Sequence, residues 1–407
     1  MTDSTPHKTS DMASVARNLA KWAYSYKPNA DDLALADRAL KDTVAVALAA
    51  RQHPLKQIVS GLSPAARWAA MSHVLDFDDL HIETTTHISV VTVPATLAAE
   101  GDARAYLAGA GVFARLAEGF GWNHYANGWH ITCTAGAPAA AVAAGIAKGL
   151  SEEQLATAIA LAVPAAGGVQ EAFGTHGKSL QVGFAADAGV RAADLASRGA
   201  TAATAAVESW MDKLGGKPGN VGAQQTPAVP GGLAIKMFPC CYAMQRPIAA
   251  IRDLKPIDYK KLTKIVARTP AGVIHPLIYD FPETGLAGKF SLQYSIATAL
   301  LDDYPGFESF TDKMVQRPEA QELMRKVEVQ KEDTPIENLL DDKINLELHY
   351  EDGTVTKTSL ELPPGAPRRP PTEEQLEEKL KSCGDDVPGL LKGISWADGT
   401  RIMKDAF

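Results

Sequence analysis

The amino-acid sequence predicts a mainly α-helical fold, with a large all-helical bundle domain followed by a smaller α+β lid domain. Three observations lead to this prediction. Residues 103–206 are dominated by Ala, Gly, Val and Leu, which favours close-packed helices. Residues 215–232 are rich in Gly, Pro and Gln, which is typical of an irregular connector. After the connector, runs of alternating apolar and polar residues are typical of strands.

The first half of the chain carries repeated helix signals. Ser63 is a capping hydroxyl, and Pro64 follows it at the first helical position. Ser151 begins a capping box for a further helix. Pro94 is expected to kink or restart the helix in which it lies. Other helices are predicted over 31–52, 63–75, 91–100, 103–119, 135–148 and 178–197.

The second half changes character. Asp352-Gly353 supplies a hairpin turn between two alternating runs, and Ser291 caps a helix over 291–301. Thr372 begins a capping box for a final helix that returns to the bundle. Strands are predicted over 262–269, 326–331, 343–350 and 354–362.

These signals divide the chain into two predicted domains. The helical domain comprises 1–232, with 365–407 returning to it, and the α+β lid domain comprises 233–364. The junction near Gly232 is where the composition shifts. Because ligand sites favour domain interfaces, a cleft at this junction is the expected place for a site.

Composition and charge exclude several classes of protein. A net charge of -8 and a pI near 5.7 argue against a general nucleic-acid binder, so an anionic ligand would need a local positive site. The four cysteines contain no C-x-x-C, and neither disulfides nor an iron–sulfur cluster are expected. The polar N-terminus has no signal-peptide core and no apolar run is long enough to span a bilayer, so a cytoplasmic protein is expected.

The stretch 74–87 is the strongest candidate for a functional site. It places three aspartates, a glutamate and two histidines directly after a predicted helix. Acids at a helix C-terminus oppose the macrodipole at a cost of roughly 0.3–1 kcal/mol each, which suggests that they have a use. Crowded acids can also raise one another's pKa and serve in proton transfer. The alternative for Asp76 is a helix-terminal acid that faces water.

Other candidates stand at breaks between predicted elements. His130 and His87 each precede a helix, where backbone N–H groups favour a carboxylate, although a buried structural histidine is the alternative. Lys178 follows a glycine-rich loop and would make a local cationic pocket. Lys236 lies near the domain junction, where the alternative is an exposed linker lysine. Tyr294 is either a core residue or a hydroxyl donor.

Five motifs in order along the chain resemble those of the MmgE/PrpD family. They are Leu75-Asp-Phe-Asp-Asp79, Gly128-Trp-His130, Phe173-Gly-Thr-x-x-Lys178, Lys236-x-Phe-Pro-Cys240 and Phe290-Ser-x-x-Tyr294. The resemblance implies a helical domain and an α+β lid in a homodimer, with the active site in the cleft between them. It also implies chemistry on small di- and tricarboxylic acids without a metal or organic cofactor. The site residues that it implies are Asp76, His87, His130, Lys178, Lys236 and Tyr294.

Three positions depart from the family pattern. Leu80 stands where a threonine is common, so one hydroxyl contact is missing. Ile88 replaces the proline of His-Pro-Ser, which changes the stiffness of the backbone. Gln245 stands where a histidine is usual, and glutamine cannot act as an acid or base at pH 7. Because of these changes, the family resemblance does not identify the substrate.

The function expected from the sequence is that of a cofactor-independent lyase. It would remove water or carbon dioxide from a small polycarboxylate such as 2-methylcitrate or cis-aconitate, by proton transfer next to a carboxylate. The same proton abstraction would serve an isomerase or epimerase, and a catalytically silent carboxylate-binding relative is a further alternative. A metal site at Asp76, His81, Glu83 and His87 is not predicted, because no known metal-binding spacing occurs.

Overall fold

A computed structural model describes residues 14–221, 227–336 and 339–407. The N-terminal residues 1–13, on which the prediction of a chain without a signal peptide rests, lie outside this part, as do residues 222–226 of the predicted connector. The fold has a large helical N-terminal part and a smaller part built on a four-stranded sheet. This agrees with the predicted fold class.

The helical part consists of eleven α-helices among the described residues before 222. They are α1 Val15–Ser25, α2 Ala30–Ala49, α3 Leu55–Ile58, α4 Pro64–His73, α5 Ser89–Ala98, α6 Ala103–Ala126, α7 Ile131–Thr134, α8 Gly136–Ala147, α9 Glu152–Ala162, α10 His176–Ser197 and α11 Ala206–Lys213. The Ser63 hydroxyl accepts from the backbone N–H of Ala66, and Pro64 is the first helical residue, as predicted. The capping box at Ser151 is also present.

The second part carries a mixed sheet with strand order β2-β1-β3-β4. Strands β1 and β2 are parallel, and the other two pairs are antiparallel. The predicted hairpin is present, with Gly353 at a φ of 84° between the last two strands. The elements are α12 Gln245–Leu254, β1 Leu262–Pro270, α13 Gly285–Gly288, α14 Leu292–Leu301, α15 Asp312–Val315, α16 Pro318–Lys326, β2 Val327–Glu332, β3 Ile344–Tyr350 and β4 Val355–Leu360.

Three helices close the chain, where the sequence predicted a single final helix. The predicted capping box at Thr372 starts α17 Glu373–Ser382, and α18 Val387–Leu391 and α19 Trp396–Ala406 follow. All three contact α2, and α19 also contacts α5. The capping box that Ser395 forms with Asp398 at the start of α19 is a local helix signal that the sequence prediction did not use.

Two helices differ from their predicted form. Helix α5 continues through Pro94 instead of restarting there, because nine of its ten residues are buried and packing offsets the one lost backbone hydrogen bond. Helix α6 extends to Ala126, beyond the predicted end at Gly119, with a break at Gly121, whose φ is 65°. Glycine tolerates this left-handed conformation, so the chain continues as helix after the break.

Small residues let α10 approach its neighbours closely. A Cβ atom on Gly189 would lie 2.4 Å from the Cβ of Ala140, and one on Gly183 would lie 2.5 Å from the carbonyl oxygen of Ala66. Any larger side chain would push α10 away from α8 and α4. This packing brings the first turn of α10, with Lys178, next to the C-terminal end of α4.

The helices of the described residues include none that is both long and apolar enough to cross a membrane.

Candidate active site

The segment that follows α4 folds back on itself and is buried. Asp76 adopts a φ of 54°, in the left-handed region that Asp enters more readily than most residues. Leu80 donates its backbone N–H to the carbonyl of Ala234 at 2.9 Å, and Ala234 returns a bond of 2.7 Å. This bridge fixes the acidic stretch against the backbone that carries Lys236.

Asp76 is the centre of a buried cluster of ion pairs. One carboxylate oxygen, Oδ1, lies 2.6 Å from the ammonium nitrogen of Lys178 and 2.9 Å from that of Lys236. The Lys236 ammonium also donates to the backbone carbonyl of Asp76 at 2.9 Å. Burial raises the pKa of Asp76, but the two ammonium groups outweigh burial and hold it below its ordinary value. Asp76 is therefore ionised at neutral pH.

A third lysine stabilises the same turn. The ammonium group of Lys289 donates to the carbonyl of Leu75 at 2.8 Å and to that of Pro239. Burial lowers the pKa of Lys289 to about 8. Three cations thus surround the turn that carries Asp76, which makes a local positive site within an acidic chain.

Asp78 binds two histidines with its carboxylate. Its Oδ2 lies 2.8 Å from Nδ1 of His87, and Nδ1 of His73 lies 3.0 Å from each of its oxygens. Nδ1 of His87 also lies 3.0 Å from the carbonyl of Asp79, and both of these neighbours can only accept. The hydrogen-bond network therefore assigns the proton of neutral His87 to Nδ1 and leaves Nε2 as a free base.

Burial sets the charge state of this group. It lowers the pKa of His87 to about 3, since the opposing attraction of Asp78 is smaller and Lys236 acts in the same direction as burial. Burial also lowers the pKa of His73. Burial raises the pKa of Asp78, but its histidine and lysine neighbours bring it well below its ordinary value. The network therefore consists of neutral imidazoles around a carboxylate.

His130 has the opposite tautomer. It precedes α7, and its Nδ1 lies 2.8 Å from the amide nitrogen of Gln181. The same amide nitrogen lies 3.2 Å from the carbonyl of Val169, so it is the donor and His130 Nδ1 is the acceptor. The proton of neutral His130 is therefore on Nε2. The centroids of the His87 and His130 rings lie 6.3 Å apart. Because of the two tautomers, His87 offers Nε2 as a base and His130 offers Nε2–H as a donor.

A small pocket with a cavity volume of about 20 Å³, partly open to solvent, lies between these groups. Its polar wall is formed by the side chains of Asp76, His87, His130 and Lys178. The Lys178 ammonium lies 5.4 Å from the ring centroid of Phe173 and 5.2 Å from that of Phe290. The remaining wall is mainly apolar and includes Leu80, Tyr125, Phe173, Phe290 and Leu339.

The structure brings five of the six sequence-predicted site residues together. Asp76, His87, His130 and Lys178 line the pocket, and Lys236 lies behind Asp76, with no exposed surface. Tyr294 is not among the residues that line this pocket. Its side chain is completely buried, and its hydroxyl donates to the carbonyl of Ser309.

Several groups of the site were missed by sequence reasoning. His73 lies within α4, and Gln181 lies in the second turn of α10. Each contacts a predicted residue, but neither has a local signal beyond its polarity on a buried helix face. Lys289 stands between Gly288 and Phe290 just before the Ser291 cap, and its role follows from its contacts with two backbone carbonyls, which the sequence does not show.

The three departures from the family pattern have distinct positions. Leu80 lines the pocket. Ile88 is completely buried. The Gln245 side chain accepts from the backbone N–H groups of Met237 and Phe238 at 3.0 and 3.1 Å and donates to the carbonyl of Phe238 at 2.9 Å. Gln245 therefore stabilises the backbone next to Lys236 and does not face the substrate space.

One set of potential metal ligands occurs in the described part of the chain. His73, Asp78 and His87 have ligand atoms within 4.8 Å of one another. Both histidines already direct Nδ1 at Asp78, and a divalent cation would have to displace these protons. It would also be repelled by Lys178 and Lys236, whose charges act on His87. The donor set is therefore better explained as a hydrogen-bond network.

Known proteins are similar in sequence to this chain. The chain is 26% identical to the cis-aconitate decarboxylase of Aspergillus terreus over 361 residues, which cover 78% of this chain and 74% of that protein. It is 28% identical to the cis-aconitate decarboxylase of Homo sapiens over 296 residues, which cover 68% of this chain and 59% of that protein.

Two family domains account for most of the sequence. Residues 59–212 match the MmgE/PrpD N-terminal domain, and residues 238–390 match the MmgE/PrpD C-terminal domain. The first match contains Asp76, His87, His130 and Lys178, and Lys236 lies between the two matches. This chain belongs to the MmgE/PrpD family.

Proposed function

We propose that this chain is a lyase that removes carbon dioxide or water from a small di- or tricarboxylic acid, with no organic cofactor or metal. One observation carries the proposal: a lysine cation, a free imidazole base and an imidazole donor converge on one pocket. The similarity to cis-aconitate decarboxylases supports the substrate class and the lyase type of reaction.

Lys178 is the proposed binding group for a substrate carboxylate. An ammonium group has three N–H donors, and among the described residues one is taken by the Asp76 carboxylate. The other two are available towards the pocket, next to the Phe173 and Phe290 rings. Asp76 holds Lys178 in place, and Lys236 balances the charge of Asp76 from behind. A fixed cation in a dry site also stabilises charge that develops on the substrate.

His87 is the proposed proton carrier. Asp78 orients its ring, so Nε2 is free to take a proton from the carbon next to a carboxylate. In dehydration, the electron pair of that C–H bond forms the double bond, and hydroxide leaves with a proton as water. In decarboxylation, the bond to a carboxylate breaks, carbon dioxide leaves, and a proton is added to the carbon that keeps the electron pair. Nε2–H of His130 is the proposed donor to the substrate.

Substrate binding would prepare the imidazoles for this role. Burial and nearby lysines hold the pKa of His87 low in the free protein. A polycarboxylate adds negative charge beside the ring and raises its pKa, because an opposite charge favours the protonated form. His87 would therefore be a stronger base in the complex than in the free protein.

A second candidate reaction is epimerisation of a small dicarboxylate. It is favoured by the presence of two imidazoles, His87 and His130, in one pocket with ring centroids 6.3 Å apart. One would remove a proton from a stereocentre, and the other would return a proton to the opposite face. No bond to carbon other than C–H would change.

Proton NMR of the purified protein in D₂O tests the proposal. The panel is 2-methylcitrate, citrate, cis-aconitate, itaconate and iminodisuccinate, with His87→Ala and the distant His349→Ala as matched variants. We expect new vinyl signals with one acid, their loss by about 10²- to 10⁴-fold in His87→Ala, and normal rates in His349→Ala. Deuterium entry at a stereocentre without loss of mass would instead establish epimerisation. Ligand line broadening without turnover would establish a catalytically silent carboxylate-binding protein.

The homodimer and the cytoplasmic location expected from the sequence stay proposals. Light scattering at several protein concentrations tests the first, and a mass of about twice the 43.2 kDa of the chain is the expected result. Fractionation of cells tests the second.

A further inference from the structure

Tyr242 lines the pocket but has no part in the proton transfer proposed above. It begins a single 3₁₀ turn, Tyr242–Met244, directly after Cys241, and its side chain is 3% exposed. It packs in one apolar cluster with Leu80 and Leu339, which also line the pocket. Its ring therefore belongs to the apolar wall.

The hydroxyl of Tyr242 is buried and has no hydrogen-bond partner among the described residues. Three other buried or half-buried tyrosines of the sheet-containing part donate to a backbone carbonyl: Tyr279 to Phe173 at 3.0 Å, Tyr304 to Met237 at 2.6 Å, and Tyr294 to Ser309. Buried phenols usually find such a partner because a lost hydrogen bond is costly. An unpartnered phenol at a pocket wall is an exception that a ligand can explain.

Arg246 supplies a second donor close to Tyr242. Its guanidinium donates through Nε to the carbonyl of Glu361 at 2.7 Å and through Nη1 to that of Asp341 at 3.3 Å. Nη2 is buried and has no partner within the described ranges. Burial raises the pKa of Tyr242, and the Arg246 guanidinium is close enough to oppose this. The Tyr242 hydroxyl and Nη2 of Arg246 are thus two neighbouring donors without an acceptor among the described residues. An anionic oxygen of a ligand would serve as that acceptor.

Tyr242 and Lys178 belong to different walls of the pocket. Lys178 lies over Phe173 and Phe290, which are part of the core of the sheet-containing part, whereas Tyr242 packs on Leu80. Thr85 also lines the pocket, but its hydroxyl donates to the carbonyl of Thr84. Tyr242 and the rings beside Lys178 therefore pack in different apolar clusters, and the Tyr242 hydroxyl is a donor without a partner in the described part of the chain.

We propose that Tyr242 is a specificity-determining residue, whose hydroxyl donates to a carboxylate of the substrate at the end away from Lys178. The pocket then recognises acids with two separated carboxylates and discriminates against monocarboxylates. The inference rests on the proposed function, since it assumes that an acid occupies this pocket.

Calorimetric titration of wild type and Tyr242→Phe with tricarballylate and with butyrate tests the inference. The variant removes one oxygen atom and keeps the ring. We expect tricarballylate to bind Tyr242→Phe about tenfold more weakly than wild type, because a charge-assisted hydrogen bond is lost. Butyrate, which lacks a second carboxylate, is expected to bind both proteins equally. The KM of the substrate found by NMR should rise similarly, with kcat changed less than about threefold.

Tyr26→Phe is the matched control, because the Tyr26 hydroxyl is also buried but bonds to Asp32, away from the pocket. It should bind both acids as wild type does. Equal binding of tricarballylate to wild type and Tyr242→Phe would overturn the inference and leave the proposed function standing, as would an equal loss for both acids. If wild type neither binds nor converts any of the acids, the proposed function fails, and the inference fails with it.

Discussion

Two buried carboxylate–lysine pairs hold the acidic stretch, one at Asp76 within it and one packed against it. Lys178 lies 2.6 Å from Oδ1 of Asp76, and Lys379, from α17, lies 2.6 Å from Oδ1 of Asp42, in α2. In each aspartate, the second oxygen is buried and has no hydrogen-bond partner in the described part of the chain. By distance and burial the two pairs are nearly identical.

The two pairs differ in the number of cations. Asp76 contacts both Lys178 and Lys236, which overcome burial and keep its pKa below the ordinary value. Among the described residues Asp42 is paired with Lys379 alone, and burial prevails over this pair, so that the pKa of Asp42 is raised. A surplus of positive charge next to a pocket can bind an anion, whereas a balanced pair cannot. The comparison teaches that charge surplus, and not burial, distinguishes the candidate site.

Lys379 has a structural explanation instead. Its ammonium donates to the carbonyl of Phe77 at 2.9 Å and lies 4.2 Å from the centroid of the Phe77 ring. It thereby attaches a C-terminal helix to the segment between Asp76 and Asp78. The balanced pair stabilises the segment on which the charged cluster is built.

The largest effect that this comparison of the two pairs predicts is the loss of activity in Lys178→Met. The substitution removes the cation that faces the pocket but leaves Asp76 paired with Lys236. We expect kcat/KM to fall by about 10²- to 10³-fold, since a fixed cationic donor is lost, with little change in the urea midpoint. Lys148→Met, which breaks a half-exposed pair with Asp194, is the control and should keep full activity. Normal turnover in Lys178→Met would remove this lysine from the site.

Lys379→Met should lose stability and keep most of its activity, which is the opposite of the result expected for Lys178→Met. Breaking a buried pair leaves Asp42 as an uncompensated charge, so we expect the free energy of unfolding to fall by about 3–5 kcal/mol. Urea unfolding measures this loss, and the activity of the folded fraction should fall much less than in Lys178→Met. Adding Asp42→Leu should restore much of the stability, because two apolar residues can replace a buried ion pair. An inactive but fully stable Lys379→Met would contradict the comparison.

The sequence predicted local features well and distant contacts poorly. Ser63, Pro64 and the alternation in β3 are local signals, and the helix and strand formed where these indicated. The family resemblance also implied four residues that line the pocket, Asp76, His87, His130 and Lys178. The pairing of Asp76 with Lys178 and Lys236 joins residues 102 and 160 positions apart, which no local pattern encodes. His73 and Gln181 were missed because their role comes entirely from such contacts.

Asp79 extends the comparison to a carboxylate that has no lysine partner within the described ranges. Burial, Asp42 and Asp78 raise its pKa to about 8, well above the ordinary value near 3.9. Because the folded state holds this proton more tightly, Asp79 contributes stability that is present below about pH 4 and is lost as the pH rises towards 8. Asp79→Asn cannot titrate and should therefore become more stable, relative to wild type, between pH 5 and pH 8.

Thermal unfolding of both proteins at pH 5, 6, 7 and 8 checks this prediction. The relevant quantity is the difference in Tm between Asp79→Asn and wild type, because the titration of Asp42 affects both proteins. A difference that stays constant over the four pH values would show that Asp79 is ionised throughout and that the positive cluster reaches further than Asp76.

The smallest expected effect is that of Tyr294→Phe. It tests the difference between site residues and structural residues with a neutral side chain. The motif in the sequence predicted a site residue, but its hydroxyl donates to the Ser309 carbonyl, and burial raises its pKa to about 12. We expect Tyr294→Phe to lose about 0.5–1.5 kcal/mol of stability and to keep kcat/KM within about threefold, because a hydrogen bond inside the protein is lost and none to the substrate. A loss of kcat beyond about 100-fold with unchanged stability would restore the prediction from the motif. It would also mean that the ring turns its hydroxyl towards the pocket when substrate binds.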